Sequence, residues 1–250
     1  MICLECVDAQ WLAANRYSLA MITAAPVITL DGPSGAGKGT VSRLLAEALD
    51  WRFLDSGALY RLVALAARNR ALAMDDEAAL VEIAGNLDAR FETVPGVEMV
   101  RVWLGDEEVS YAIRTESCAE DASRIAAMAG VRRCLLARQR AFRGPPGLVA
   151  DGRDMGTVVF PDATIKFFLT ATPNERAQRR YKQLKEKGID VNLRNLLEDI
   201  ARRDQRDQAR EVAPLRPAED AIVVDTTGQS VAAVLQCVVE TIGVRGLWVD

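Results

Sequence analysis

The chain has 250 residues, half of them hydrophobic and 26% charged, and its 31 basic and 35 acidic side chains leave a net charge of −4. That is enough chain for one large or two small domains with a real core, and the balance excludes a general pull toward nucleic acid or an anionic membrane. There is no histidine, so any mechanism needing a histidine base or ligand is excluded, and Arg, Lys, Asp and Mg²⁺ must carry the chemistry.

Residues 1–24 fit poorly with the rest of the chain. Glu5 and Asp8 interrupt the apolar character early and no basic stretch precedes it, which argues against a secretory signal. This segment reads as an appendage, and Met21, just before the first strand, is a candidate start. Cys3 and Cys6 form one C-x-x-C without a second pair, a weak zinc or redox signal. Cys118, Cys134 and Cys237 fall on apolar faces of predicted helices and read as packed thiols. No disulfide framework is visible, which points to a reducing cytoplasm, and no apolar run reaches the length of a membrane span.

An apolar run ending in Asp31 leads into Gly32-Pro33-Ser34-Gly35-Ala36-Gly37-Lys38-Gly39-Thr40. Val41, Leu44, Leu45, Ala48 and Leu49 then recur at helical spacing. Strand, glycine loop and helix in that order make a phosphate cradle. The glycines let the loop bend, the helix N-terminus adds positive potential, and Lys38 reaches terminal phosphates. The usual pattern places Ser or Thr directly after the lysine. Here Gly39 intervenes before Thr40, which leaves open which hydroxyl, if any, meets Mg²⁺. The bland reading is a tight turn with a solvated lysine.

The rest alternates strand and helix, the mark of a parallel α/β sheet. Strands are predicted at 26–31, 51–54, 147–151, 163–169 and 221–225. Helices are predicted at 38–49, 57–70, 76–86, 116–142, 173–187, 192–212 and 230–242. One stretch, about 87–115, breaks the alternation. Phe91, Val94, Val97, Met99, Val100, Val102, Leu104 and Val109 recur with near two-residue spacing, punctuated by Pro95-Gly96 and Gly105-Asp106, as in a small antiparallel β insert.

Ligands of open α/β sheets bind beyond the strand C-termini, and Asp31, Asp55 and Asp151 mark three such ends. Asp55-Ser56-Gly57-Ala58-Leu59-Tyr60-Arg61 is a helix cap, and Tyr60 and Arg61 on its first turns also suit a substrate. Asp151-Gly152-Arg153-Asp154-Met155-Gly156-Thr157 is either an Asp-Gly turn or a catalytic loop whose Asp151 holds Mg²⁺ through water. In 192–212, Arg203, Asp207 and Arg210 share one face by spacing. They form either a solvated charged face or a clamp for phosphates and a sugar hydroxyl. Arg176, Arg179, Arg180, Lys182, Lys185 and Lys187 precede Gly188 and form either a solvated face or a basic lid over about 176–192.

Taken together, GPSGAGKGT, DSGALYR, DGRDMGTVVFPDA and RRDQRDQAREVAPL resemble bacterial cytidylate kinases, from about Ala25 to Ile242. The resemblance implies a P-loop nucleoside monophosphate kinase covering 25–250. Its parts would be a five-stranded parallel sheet flanked by helices, a monophosphate-binding β insert and a short lid. It implies transfer of the γ-phosphoryl of ATP to CMP or dCMP with Mg²⁺. Gly32, Pro33, Ser34, Gly35, Ala36, Gly37, Lys38, Gly39 and Thr40 would hold ATP. Ser56, Tyr60, Arg61, Ser123, Arg132, Arg153, Asp154, Arg203, Asp207 and Arg210 would line the CMP site. Lys38, Asp151, Arg153, Arg203 and Arg210 would be catalytic, with no direct protein ligand to Mg²⁺. The expected partners are the two nucleotides, and the expected state is a cytoplasmic monomer. Two other readings stay open: a kinase for UMP or another small acceptor, and a P-loop switch that transfers nothing. A guanine-reading N-K-x-D is not found in the sequence.

Overall fold

The computed structural model describes residues 25–92, 100–186 and 188–244. The expected appendage, and Val94, Pro95, Gly96, Val97 and Met99 of the insert, lie outside the described residues. Five strands form one parallel sheet: β1 (Val27–Asp31), β2 (Arg52–Asp55), β6 (Leu148–Gly152), β7 (Ile165–Thr170) and β8 (Ile222–Asp225). Their order is β2-β6-β1-β7-β8. Val27 pairs with Leu148 and Ile28 with Val149, so neighbours in sequence point to opposite faces in step across the sheet. Val27 and Leu148 face a core with Leu59, Leu62 and Ile125, whereas Ile28 and Val149 face one with Leu45, Phe167 and Val238. Apolar side chains on both faces are why these strands read as short unbroken apolar runs.

The helices follow the strands. They are α1 (Lys38–Leu49), α2 (Ser56–Asn69), α3 (Glu77–Gly85), α4 (Glu116–Ile125), α5 (Ala129–Arg140), α6 (Pro173–Glu186), α7 (Leu193–Gln208) and α8 (Val231–Val244). Every strand of the sheet lies within two residues of its predicted ends. A second sheet, β3 (Ala89–Glu92), β4 (Arg101–Leu104) and β5 (Glu107–Glu108), is antiparallel, as expected for the insert.

Three features differ from expectation. The single helix over 116–142 is two helices, because Met128 is extended (φ −81°, ψ 120°) before α5 begins. The cause is tertiary. Gly130 N–H donates to Glu77 on α3 at 2.6 Å, and a Cβ on Gly130 would lie 2.8 Å from Val81. A continuous helical period carries no trace of that contact. The helix over 192–212 ends at Gln208. Leu215 N–H turns back to the Asp207 carbonyl at 2.8 Å, and Ala213 takes a positive φ of 54°. Of the cysteines expected to be packed, Cys118 is buried and Cys134 half-buried, but Cys237 is exposed.

Where β1 enters its loop, the main chain allows no side chain. Gly32 has φ 146°, and a Cβ there would sit 2.0 Å from the Leu169 carbonyl oxygen of β7. That oxygen belongs to a central strand and cannot step aside. Gly32→Ala should destabilise the protein by about 1–3 kcal/mol, the cost of one forced backbone strain. At this chain length that lowers the thermal midpoint by roughly 2–12 °C. Scanning calorimetry of both proteins checks it, and an unchanged midpoint would show that the loop has room.

Candidate active site

The loop from Gly32 to Thr40 opens α1, with Gly35 and Gly37 in left-handed conformations (φ 81° and 87°). Its carbonyls are held from outside. Arg176 donates to the Ser34 oxygen at 3.1 Å, and the Thr226 hydroxyl donates to the Ala36 oxygen at 3.1 Å. Tying those oxygens to neighbours keeps them away from an anion in the loop. Lys38 is buried, 3.4 Å from the Pro33 oxygen and 3.7 Å from Asp151 Oδ1. Burial, with the nearby charge of Arg153, lowers its pKa to about 8. Burial raises Asp151 against the pull of Lys38, and its Oδ1 accepts no hydrogen bond among the described residues.

Asp55 caps α2, accepting from Ala58 N–H at 3.0 Å, and pairs with Arg61 at 2.9 Å. Burial opposes its charge, but Arg61, the Ala58 N–H and Arg114 hold it below the usual carboxylate range. Ser56, first in α2, is buried with its Oγ against Gly152. Arg132 forms an enclosed ion pair with Asp154 and donates to the Ala126 oxygen at 3.0 Å. Its guanidinium stands 5.8 Å from the Tyr60 ring centroid. Arg153 and Arg210 close on Asp207 from two sides, with Arg153 Nε 2.9 Å from Oδ2. The two guanidiniums hold the buried Asp207 carboxyl below its ordinary pKa despite desolvation.

The strand ends therefore gather Lys38, Asp151, Arg153, Asp207 and Arg210 in one charged cluster. Arg203 stands apart from it. Spacing puts Arg203 on a face with Asp207, but its guanidinium reaches Glu116 on α4 at 3.1 Å. Ser123 accepts from Arg206 at 3.0 Å.

For several residues that hold the site, sequence reasoning gave another role or none. Asp31 accepts from Met155 and Gly156 N–H, each at 2.8 Å, and so ties the end of β1 to a π-helical turn, Met155–Val159, that follows Asp154. Burial raises its pKa to about 7 against those two hydrogen bonds. Arg176, read as a lid residue, is buried and bonds the Ala171 oxygen and Asp204 as well as the loop. Arg114, beside Asp55 and Arg61, and Glu116 went unread. Only Asp31 carried a signal, as an acid closing a buried strand.

The sequence model described as cytidylate kinase matches residues 28–243. The chain belongs to the cytidylate kinase family. A protein named cytidylate kinase from Aeromonas hydrophila is 60% identical over 211 residues, 84% of this chain and 91% of its own. One of the same name from Pseudomonas savastanoi pv. phaseolicola is 56% identical over 223 residues, 89% of this chain and 97% of its own. A third, from Stutzerimonas stutzeri, is 56% identical over 227 residues, 91% of this chain and 99% of its own. Family membership extends over the sheet, the insert and both arginine-bearing helices.

The enclosed Arg132–Asp154 pair gives a direct test of the site's architecture. Its side chains are 8% and 6% exposed, so neither charge has water as an alternative. Asp154→Ala strands a buried guanidinium and should cost about 3–5 kcal/mol in urea unfolding, whereas replacing both partners with leucine should cost less. A single variant as stable as the parent would mean that solvent reaches Arg132.

Proposed function

We infer that the chain transfers the γ-phosphoryl of ATP to CMP or dCMP, giving ADP and CDP or dCDP. The observation that carries this is the meeting of the Lys38–Asp151 pair with the Arg153–Asp207–Arg210 cluster beyond β1 and β6, in a chain of this family. A bare binding switch has no use for so many desolvated cations opposite its phosphate loop. Phosphoryl transfer does, since charge is spread over the moving group and its stabilisation is mostly electrostatic.

In this reading the loop from Gly32 to Thr40 and Lys38 hold the β- and γ-phosphates. Arg153 and Arg210, with Arg203 swung from Glu116, face the acceptor phosphate and the moving phosphoryl. Asp207 keeps its two arginines in place and offers an oxygen to the sugar hydroxyl. Ser56, Tyr60 and Arg61 border the acceptor where β2 meets α2. Ser123, Arg132 and Asp154 face the base.

Mg²⁺ fits the same place. Asp151 Oδ1 is buried and accepts no hydrogen bond among the described residues, and Oδ2 points at Gly39, 3.2 Å from where a Cβ would stand. Asp151 would hold the ion through water, and when bound it supplies neutralising charge to the phosphates. The reading also takes 25–250 as the kinase domain, with an insert at about 87–115 and a lid at about 176–192 closing on the nucleotides. It makes the protein a cytoplasmic monomer. No helix among the described residues is long and apolar enough to cross a membrane.

Base choice is the sharpest test. Cytosine presents an amino donor at its 4-position and acceptors at N3 and O2, whereas uracil reverses the first two. Asp154 is acceptor-only when ionised and Arg132 is donor-only, which suits cytosine. Uracil would leave buried groups unpaired at about 1–3 kcal/mol each, so kcat/KM for CMP should exceed that for UMP by at least roughly tenfold to a hundredfold. A coupled ADP assay over a panel of monophosphates decides it. Equal use of UMP would remove the cytidylate assignment, and no ADP with any acceptor would remove the kinase.

The lowered pKa of Lys38 gives a second test. Above about pH 8 the free protein holds Lys38 neutral, while a bound phosphate favours the charged form. Binding then takes up a proton, and ATP affinity should fall as pH rises through 8, by up to about tenfold per unit. Lys38→Arg should flatten that profile. Calorimetric Kd values from pH 6.5 to 9.5 in both proteins check it, and a flat parent profile would place the proton elsewhere.

A further inference from the structure

Arg180 on α6 and Arg203 on α7 end on one carboxylate. Glu116, in the first turn of α4, accepts from Arg180 Nε at 2.8 Å through Oε1 and from Arg203 at 3.1 Å through Oε2. One turn on, Glu120 stands 3.8 Å from Arg206, and Ser123 accepts from Arg206 at 3.0 Å. Residues 116, 120 and 123 lie on one face of α4, so the contacts form a seam between that helix and the α6–α7 pair. The seam is wet: Glu116 is 41% exposed, Arg180 30% and Arg203 20%. Pairs this exposed contribute little to fold stability. Their geometry is nevertheless specific. Two guanidinium groups from two helices converge on the two oxygens of one small anion, as arginines converge on a phosphate.

We propose that Glu116 is a positioning residue. Its carboxylate is a placeholder anion that holds Arg180 and Arg203 together and competes with the phosphate of the acceptor nucleotide for them. When that phosphate displaces it, Arg180 joins Arg203 among the phosphate-binding arginines. This rests on the kinase reading above. A nucleoside monophosphate carries about −1.5 to −2 at pH 7 with three acceptor oxygens, against one charge and two oxygens for Glu116, so the exchange runs toward phosphate. The carboxylate weakens acceptor binding while it keeps two like charges from driving each other away from the cleft.

The test is CMP affinity by calorimetry at low salt. Glu116→Gln should tighten Kd by about three- to tenfold, the worth of two partly exposed charge pairs, with the thermal midpoint near the parent's. Glu116→Ala should move it the same way. Glu198→Gln makes the same charge change on α7, at a pair with Arg194, and should leave Kd unchanged. In a background with Arg180→Ala and Arg203→Ala, exchange at 116 should have no effect. Kd unchanged or weakened in both Glu116 variants overturns the proposal, as does an equal gain from Glu198→Gln. A parent that phosphorylates CMP alongside such a result keeps the kinase reading, while a parent that neither binds nor phosphorylates CMP removes both.

Discussion

Lys38 and Asp151 face each other 3.7 Å apart at the ends of β1 and β6, both buried, and neither holds its charge at its ordinary pKa. Taking two ions out of water costs more than their attraction returns unless further partners complete the site. Here burial outweighs the pair's attraction: Lys38 is lowered and Asp151 raised, each toward the neutral form. In the proposed reading, a nucleoside triphosphate with Mg²⁺ would favour the charged form of both. The strain is kept in place by what surrounds it, since β1 and β6 are buried along their whole length between the two cores.

The arginines divide by how they are held. Arg176 is 3% exposed and joins the glycine loop, the end of β7 and Asp204 on α7, so it belongs to the frame. Arg132 is fixed with equal firmness by Asp154 and the Ala126 carbonyl. Arg61, Arg153 and Arg210 are paired with Asp55 or Asp207, and Arg180 and Arg203 with Glu116. In the proposed reading, Glu116 stands where a phosphate would stand, while Asp207 stays with its two arginines. Such pairing keeps a strongly cationic cleft compatible with folding, because each guanidinium is neutralised before any nucleotide arrives. It also sets a cost on binding, since every exchangeable pair must open.

The sequence shows the sheet clearly, because buried parallel strands announce themselves as short apolar runs between helices. It shows the glycine loop for a related reason: Gly32, Gly35 and Gly37 answer backbone demands no other residue meets as cheaply. What it hides is set by long-range contact. The break before α5 depends on Glu77 and Val81, some fifty residues earlier, and no local pattern encodes it. The same holds for Arg203. Helical spacing holds for Arg203 and Asp207 within α7 but not for Arg210, which lies past the helix end at Gln208, and a long flexible side chain goes to its best partner, which for Arg203 sits on α4. Arg176 shows the limit from the other side, since in a basic run nothing distinguishes the one arginine that turns inward.

Acidity acts on this site in two opposed ways. Asp31 has a folded pKa of about 7, above its unfolded value, so its contribution to stability is complete only below the ordinary carboxylate range and is lost as pH rises through about 7. Asp55 and Asp207 are lowered by their arginines, so what they contribute is present above that range and lost as pH falls. Near neutrality the protein keeps the contribution of the arginine-paired acids and gives up part of that of Asp31. Asp31 nonetheless accepts from both Met155 and Gly156, which a carboxylate does with two oxygens and an asparagine cannot. The carboxylate at that strand end therefore fits a positional demand. It fixes the turn behind Arg153 and Asp154, at some expense of stability, where the proposed reading puts the base and the phosphate.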